Sequence, residues 1–235
     1  MVTTAVLVDG AFFLRRYPYL YPAKDAADPS AVARTMHEMA CAHLYDKGGN
    51  RACNLYRIFF YDCSGIRKRA HNPISGRAVD FARSAITNFR DALHDEVRRL
   101  RKTALRLGRL DEDNAAWTIH DRVLRELFKG TRRFEDLNES DIVYYARQKQ
   151  VDMKIGLDIS ALAHKRQVDQ IVLVAGDSDF VPAAKVARRE GIDFILDPMW
   201  HVIKPDLNEH IDGLRSTAPR PSPKPIAAIK EMADL

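Results

Sequence analysis

The segment QIVLVAGDSDF, residues 170–180, decides the fold. Ile171 to Ala175 is an unbroken apolar run. It is far too short for a membrane helix and lacks the alternation of a half-exposed strand, so it reads as a strand buried on both faces of a parallel sheet. Gly176-Asp177-Ser178-Asp179 makes the turn, Pro182 opens a helix, and Gly191 stops it after Glu190. The same strand-then-Asp step occurs three more times. TAVLV at 4–8 runs into Asp9-Gly10, LYRIFFY at 55–61 into Asp62, and IDFIL at 192–196 into Asp197-Pro198. A further strand is expected at Ile142–Ala146. Helices are expected at Asp28–Asp46, Ala78–Leu107, Trp117–Phe128 and Gly156–Arg166, with a turn-rich loop at Tyr17–Pro22. Strands alternating with helices predict an α/β fold with a mainly parallel sheet.

In an open parallel sheet, ligands bind at the carboxyl ends of the strands, where Asp9, Asp62, Asp177 and Asp197 all fall. Carboxylates gathered at one edge repel each other at reduced dielectric, so a site that collects them usually also collects a divalent cation. Oxygen-only ligands favour Mg²⁺ or Mn²⁺ over zinc. Asp158, Asp179 and the Ser178 hydroxyl add oxygen donors, and the amides opening the helix favour a phosphate. A plainer reading stays open beside this one: Asp177 or Asp179 as a helix cap, and Asp62 or Asp197 as the start of a turn. Asp197 is the weakest candidate.

The 235 residues carry 37 Lys or Arg against 32 Asp or Glu, a net charge of +5. At 46% hydrophobic and 9% aromatic residues, the chain has enough apolar material for a core, which excludes a disordered or collagen-like protein. Residues 64–109 hold twelve Lys or Arg against four acids, leaving the remainder net acidic. That unevenness suits a polyanion-holding arm apart from an acidic site, and equally an ordinary solvated helix face. Cys41, Cys53 and Cys63 are odd in number without a C-x-x-C pair, which argues against a disulfide framework. No apolar run is long enough to span a membrane and no secretory signal is apparent at the N-terminus, so the cytoplasm is the expected address. His37 and Cys41 have metal-compatible spacing but no second pair, so ordinary packing is the expected role. G-x-G-x-x-G after the first strand, a P-loop and G-x-S-x-G are all missing. An aspartyl-phosphate enzyme would want an acid where Ala11 stands. From Thr217 onward the chain is Pro-rich and reads as a flexible tail with a short terminal helix at Ile226–Met232.

Three motifs together resemble a known family: Val8-Asp9-Gly10-Ala11-Phe12-Phe13, then Lys149-Gln150-Val151-Asp152 followed by Leu157-Asp158-Ile159, and Val174 to Phe180. They look like NYN domains, the LabA-like branch of the PIN-like nuclease superfamily, over roughly residues 1–215. The resemblance implies a Rossmann-like, PIN-like parallel sheet of order 3-2-1-4-5 with helices on both faces, placing Asp9 beside Asp177. Beyond such a minimal domain, the chain's own sequence reads as adding a basic helical insertion at about 64–130 and a Pro-rich tail at 216–235. It further implies metal-dependent hydrolysis of RNA phosphodiesters, with Mg²⁺ or Mn²⁺ held by Asp9, Asp158, Asp177 and Asp179 as catalytic carboxylates and Asp152 as a secondary ligand. Ser178, Arg67, Lys68, Arg69, Arg98, Arg101 and Lys102 are the expected substrate contacts. Relatives often carry Asn at the Phe12 position and Gly at the Gln150 position. The expected partner is RNA, with DNA the alternative and no membrane. A protein partner through the insertion or tail and a homo-oligomer both stay open. The rival functions are a non-catalytic nucleic-acid-binding module and a regulatory interaction protein.

Overall fold

The structure, a computed structural model, describes residues 1–221; the terminal helix expected at Ile226–Met232 lies outside the described residues. In chain order the elements are β1 (Val2–Asp9), α1 (Gly10–Leu20), α2 (Pro29–Ala42), β2 (Cys53–Asp62), β3 (Arg69–His71), β4 (Ala78–Asp80), α3 (Ala85–Arg99), β5 (Thr103–Leu107), β6 (Arg109–Leu110) and β7 (Ala116–Ile119). They continue as α4 (Asp121–Phe128), β8 (Ile142–Tyr145), β9 (Gln148–Lys149), α5 (Val151–His164), β10 (Gln170–Val174), α6 (Val181–Arg189), β11 (Asp193–Asp197), α7 (Pro205–Glu209) and β12 (Gly213–Leu214). The described residues form two compact units, a main one of residues 1–64, 89–109 and 149–221 and a second of 65–88 and 110–148.

The main unit is built on a six-stranded sheet in the order β12-β11-β10-β1-β2-β5, with every pairing parallel. Numbering only these strands along the chain gives 3-2-1-4-5-6, the expected order with one short strand added. The identity of the third strand differs from expectation. Thr103–Leu107 occupies that edge, registered from Ile58↔Thr103 to Asp62↔Leu107, while Ile142–Tyr145 pairs antiparallel with β7 in the second unit.

The pleat of β1 sends Val6 and Val8 to one face, where Ile58, Phe60, Val172 and Val174 join Phe12, Phe13 and Tyr17 of α1, Met36 and Met39 of α2, and Leu93 and Val97 of α3. Ala5 and Leu7 point to the other face and are also fully buried, which explains why the strand is apolar without alternation. The α1 helix reaches through the stretch expected to be a loop. Pro18 lies inside it, and burial of Tyr17 and Leu20 outweighs the lost backbone hydrogen bond.

The span Ala78–Leu107, expected to be one helix, holds four elements: β4, a 3₁₀ turn at Phe81–Arg83, α3 and β5. The Asp80 carboxylate accepts from the Ala82 amide at 3.2 Å and caps a short 3₁₀ turn, Ser84 Oγ accepts from the Thr87 amide at 3.2 Å where α3 begins, and α3 ends at Arg99. The second unit is therefore not a helical insertion. It holds the β3–β4 hairpin, the β7–β8 pair and α4, around Tyr144, whose ring lies 4.7 Å from Phe81 and 5.4 Å from Trp117 between centroids. The basic excess divides accordingly, with five Lys or Arg against one acid in 65–88 and seven against three in 89–109. The start of the tail is also not free: the Thr217 hydroxyl donates to the Met39 carbonyl at 2.9 Å, and Ala218 is buried.

Candidate metal centre

Asp9 is the last residue of β1 and the N-cap of α1, with its Oδ1 accepting from the Phe12 amide at 3.1 Å. Its side chain is almost wholly buried. Burial pushes its carboxyl up to about 6, the charge of Asp152 pushes the same way, and the Phe12 amide and Arg15 pull against them. Asp152 stands in the first turn of α5. Its carboxyl is also raised, first by burial and then by the charges of Asp177 and Asp179. Asp177 follows β10 and caps the 3₁₀ turn Ser178–Phe180, accepting from the Asp179 amide at 3.1 Å. Parallel pairing of β1 with β10, with Val8 opposite Val174, brings these elements to the same edge. Capping and clustering are thus not alternatives here, since Asp9 and Asp177 do both.

The four carboxylates Asp9, Asp152, Asp177 and Asp179 make an oxygen-only set at the carboxyl edge of the sheet. Among the described residues, three potential ligand atoms converge within 4.8 Å only at Asp206 and Glu209 of the short helix α7 and His210 just after it, a largely exposed group. No three of the sheet-edge carboxylates come that close. Their chemistry fits a hard divalent cation such as Mg²⁺ or Mn²⁺, which these side chains would hold with water completing its shell.

Asp158 does not join them. It lies six residues beyond Asp152 on α5, roughly 9 Å farther along the axis and turned to another side. There it accepts from the Tyr61 hydroxyl at 2.8 Å and pairs with Arg106 Nε at 3.2 Å. The Tyr61 phenol, buried and facing this carboxylate, is raised well above its ordinary range. Asp158 therefore ties α5 to β2 and β5, apart from the carboxylates gathered around Asp152. Asp62 and Asp197 are structural as well. Asp62 is fully buried and accepts from Arg90 and from His94 Nε2. Asp197 faces His43 Nε2 at 2.9 Å and accepts from the Met199 and Thr217 amides at 2.7 and 3.2 Å.

Two sequence departures acquire local reasons. Gln150 has φ 72°, the left-handed conformation that glycine enters without strain, just before the helix that carries Asp152. Phe12 is a core residue, and its ring fills the space beneath Gly176.

The expected basic contacts divide by position. Arg98 pairs with Asp95 at 2.6 Å, and the Lys102 ammonium donates to the Leu55 carbonyl. Both flank the turn that leads into β5, with Arg101 between them. Thr103, where the turn ends, lies opposite Ile58 while Tyr61 lies opposite Asp9, so this turn is on the amino side of the sheet, set back roughly 10 Å or more along the strands from the level of Asp9. Arg98, Arg101 and Lys102 therefore lie apart from the aspartate cluster. In the second unit, the Arg67 amide donates to Glu112 Oε1 at 2.7 Å, Lys68 Nζ to the Glu112 carbonyl at 3.0 Å, and Arg69 pairs with Asp80 at 3.1 Å. Beside the aspartates stand Arg15 and Lys204, whose Nζ donates to Ser178 Oγ at 3.3 Å. Sequence reasoning passed over Lys204; the available signal was its place in the loop after a strand ending, the ligand-bearing edge of such a sheet. His37 and Cys41 lie 3.7 Å apart, and His37 Nε2 faces the Arg101 carbonyl at 3.2 Å, an ordinary packing role.

A family model described as NYN domain matches residues 3–199. Comparison with curated proteins gives no match. Among solved structures, a protein of unknown function from Vibrio parahaemolyticus is similar, with 14% identity, 91% of each chain covered and a TM-score of 0.43.

Proposed function

The chain belongs to the NYN domain family, within the PIN-like nuclease superfamily, and from that premise we propose that it is a metal-dependent endoribonuclease acting on single-stranded RNA. The observation that carries this reading is the gathering of Asp9, Asp152, Asp177 and Asp179, from three separate parts of the chain, at the carboxyl edge of the sheet. A divalent cation bound there supplies a water of lowered pKa and neutralises charge on the phosphate and leaving oxygen.

The residues of the chain do the rest. The β1–α1 junction fixes Asp9 through its cap, so that carboxylate is oriented before anything binds. The first turn of α5 presents Asp152, and the 3₁₀ turn presents Asp177 and Asp179 with the Ser178 hydroxyl between them. Phe12, buried against Gly176, and buried Phe180 anchor the two ends of the turn that carries Asp177 and Asp179.

The test is cleavage of a labelled single-stranded RNA with Mg²⁺ or Mn²⁺. Activity that disappears with EDTA and in Asp177→Asn supports the assignment; full activity in that variant overturns it. One observation favours a second reading. Where relatives often place Asn, Phe12 offers the site edge no polar group, as in a module that binds RNA without cutting it. Salt-sensitive binding with no cleavage under any metal would select that reading.

A further inference from the structure

Met199 and Trp200, just after β11, are consecutive non-glycine residues in the left-handed conformation, with φ 46° and 61°. L residues adopt this only where the surroundings hold them. Here the Met199 amide donates to Asp197 Oδ1 at 2.7 Å, and Arg16 donates through Nε and Nη2 to the Met199 carbonyl at 3.2 and 2.8 Å. The Trp200 amide donates to Ser216 Oγ at 3.0 Å, and its indole Nε1 to the Ala218 carbonyl at 2.8 Å. The result is a tryptophan fixed at both ends yet 41% exposed, with the Arg220 guanidinium 5.4 Å from its ring centroid.

The same turn ends at Lys204. Its ammonium reaches Ser178 Oγ, between two of the site aspartates, and has no carboxylate partner among the described residues. Arg15 adds to the positive rim, and His201 stands beside it as a neutral ring. The His201 imidazole is held below its ordinary range by burial first and then by Arg16 and Arg15. A cation for phosphate and a flat ring for a base, carried on one short segment beside a carboxylate cluster, match the phosphate and the base that a single nucleic-acid strand offers. A duplex keeps its base faces stacked and unavailable to the ring.

Resting on the nuclease reading above, we propose that the Met199–Lys204 turn is the strand-holding element. Lys204 takes a backbone phosphate next to Ser178, and Trp200 stacks an unpaired base of the same strand. The chain has two tryptophans. The other, Trp117, has a buried Nε1 without a hydrogen-bond partner, so Trp117→Phe removes an unsatisfied donor and leaves Trp200 as sole reporter.

The experiment titrates Trp117→Phe with a labelled single-stranded RNA oligonucleotide in EDTA, reading indole fluorescence and label anisotropy together. Both signals are expected to saturate at the same concentration, with the matching duplex giving no quenching. Adding Lys204→Ala should weaken binding several-fold and lower the slope of log affinity against log salt by about one, while Lys204→Arg restores both. Binding by anisotropy with unchanged Trp200 emission and unchanged affinity in Lys204→Ala overturns the role of the turn and leaves the nuclease reading intact. Quenching by RNA in a protein that cuts nothing with Mg²⁺ or Mn²⁺ supports the turn and overturns the nuclease reading.

Discussion

A Cβ built on Gly176 would lie 2.5 Å from Cε2 of Phe12, so the glycine of the aspartate-bearing turn and the aromatic of α1 form a closed contact. Gly176→Ala should therefore destabilise the protein by about 1–3 kcal/mol through overpacking. Phe12→Leu in the same chain should recover part of that loss. Urea unfolding of the two single variants and the double variant measures the coupling. Strictly additive effects would show that the ring moves aside freely.

Asp9 carries a cost of its own. Its unfolded carboxyl titrates near 3.8 and its folded one near 6. Below the first value both states are protonated. Between the two values the unfolded state ionises first, so stability falls as pH rises, and above about 6 it levels off. The loss attributable to Asp9 is on the order of 3 kcal/mol. Asp9→Asn, which can still accept the Phe12 amide, should raise Tm at neutral pH and flatten stability between pH 4 and 6. A variant less stable than the parent at pH 7 without added metal would contradict the assigned cause. Where the parent cuts RNA, the same substitution should end cleavage.

Asp152 and Asp158 should separate cleanly. Asp152→Asn is expected to reduce metal-stimulated cleavage as severely as Asp177→Asn does. Asp158→Asn should leave cleavage within a few-fold of the parent and instead cost about 1–2 kcal/mol of stability, through the weakened contacts to Tyr61 and Arg106. Paired thermal melts and initial rates decide it, and an inactive but fully stable Asp158→Asn would return that residue to the metal site.

The basic residues at the far edge of the sheet offer a third separation. A triple variant, Arg98→Ala with Arg101→Ala and Lys102→Ala, should cut a short oligonucleotide at the parental rate with an unchanged salt slope. A large fall in the rate at low salt would mean that substrate reaches this edge.

The legible part of the fold was the part written in uninterrupted apolar runs. The β1, β2, β10 and β11 strands are buried on both faces, so their sequences needed no context. The third strand was missed because Thr103–Leu107 is a partly exposed edge strand with Arg106 in it, following a helix whose apolar spacing runs smoothly into it. Ile142–Tyr145 looked better because its residues favour any sheet, and it found a partner in β7 instead. At the site, Asp9, Asp177 and Asp179 were visible from their position after strands. Asp158 was not separable from Asp152 by spacing alone, because which side of α5 faces the edge is set by Tyr61 and Arg106, far away in the chain. Charge counting located the basic segment but had no means of telling the two ends of a sheet apart.

The anchoring of Trp200 by Ser216 and Ala218 bears on when the protein matures during synthesis. All six strands of the sheet precede residue 216, so the scaffold and its carboxylates can assemble while the following segment is still being added. The turn beside them acquires its ordered shape only once that segment has emerged and docked. A chain ending at Arg215 would thus keep all six strands while Trp200 loses both of its anchors.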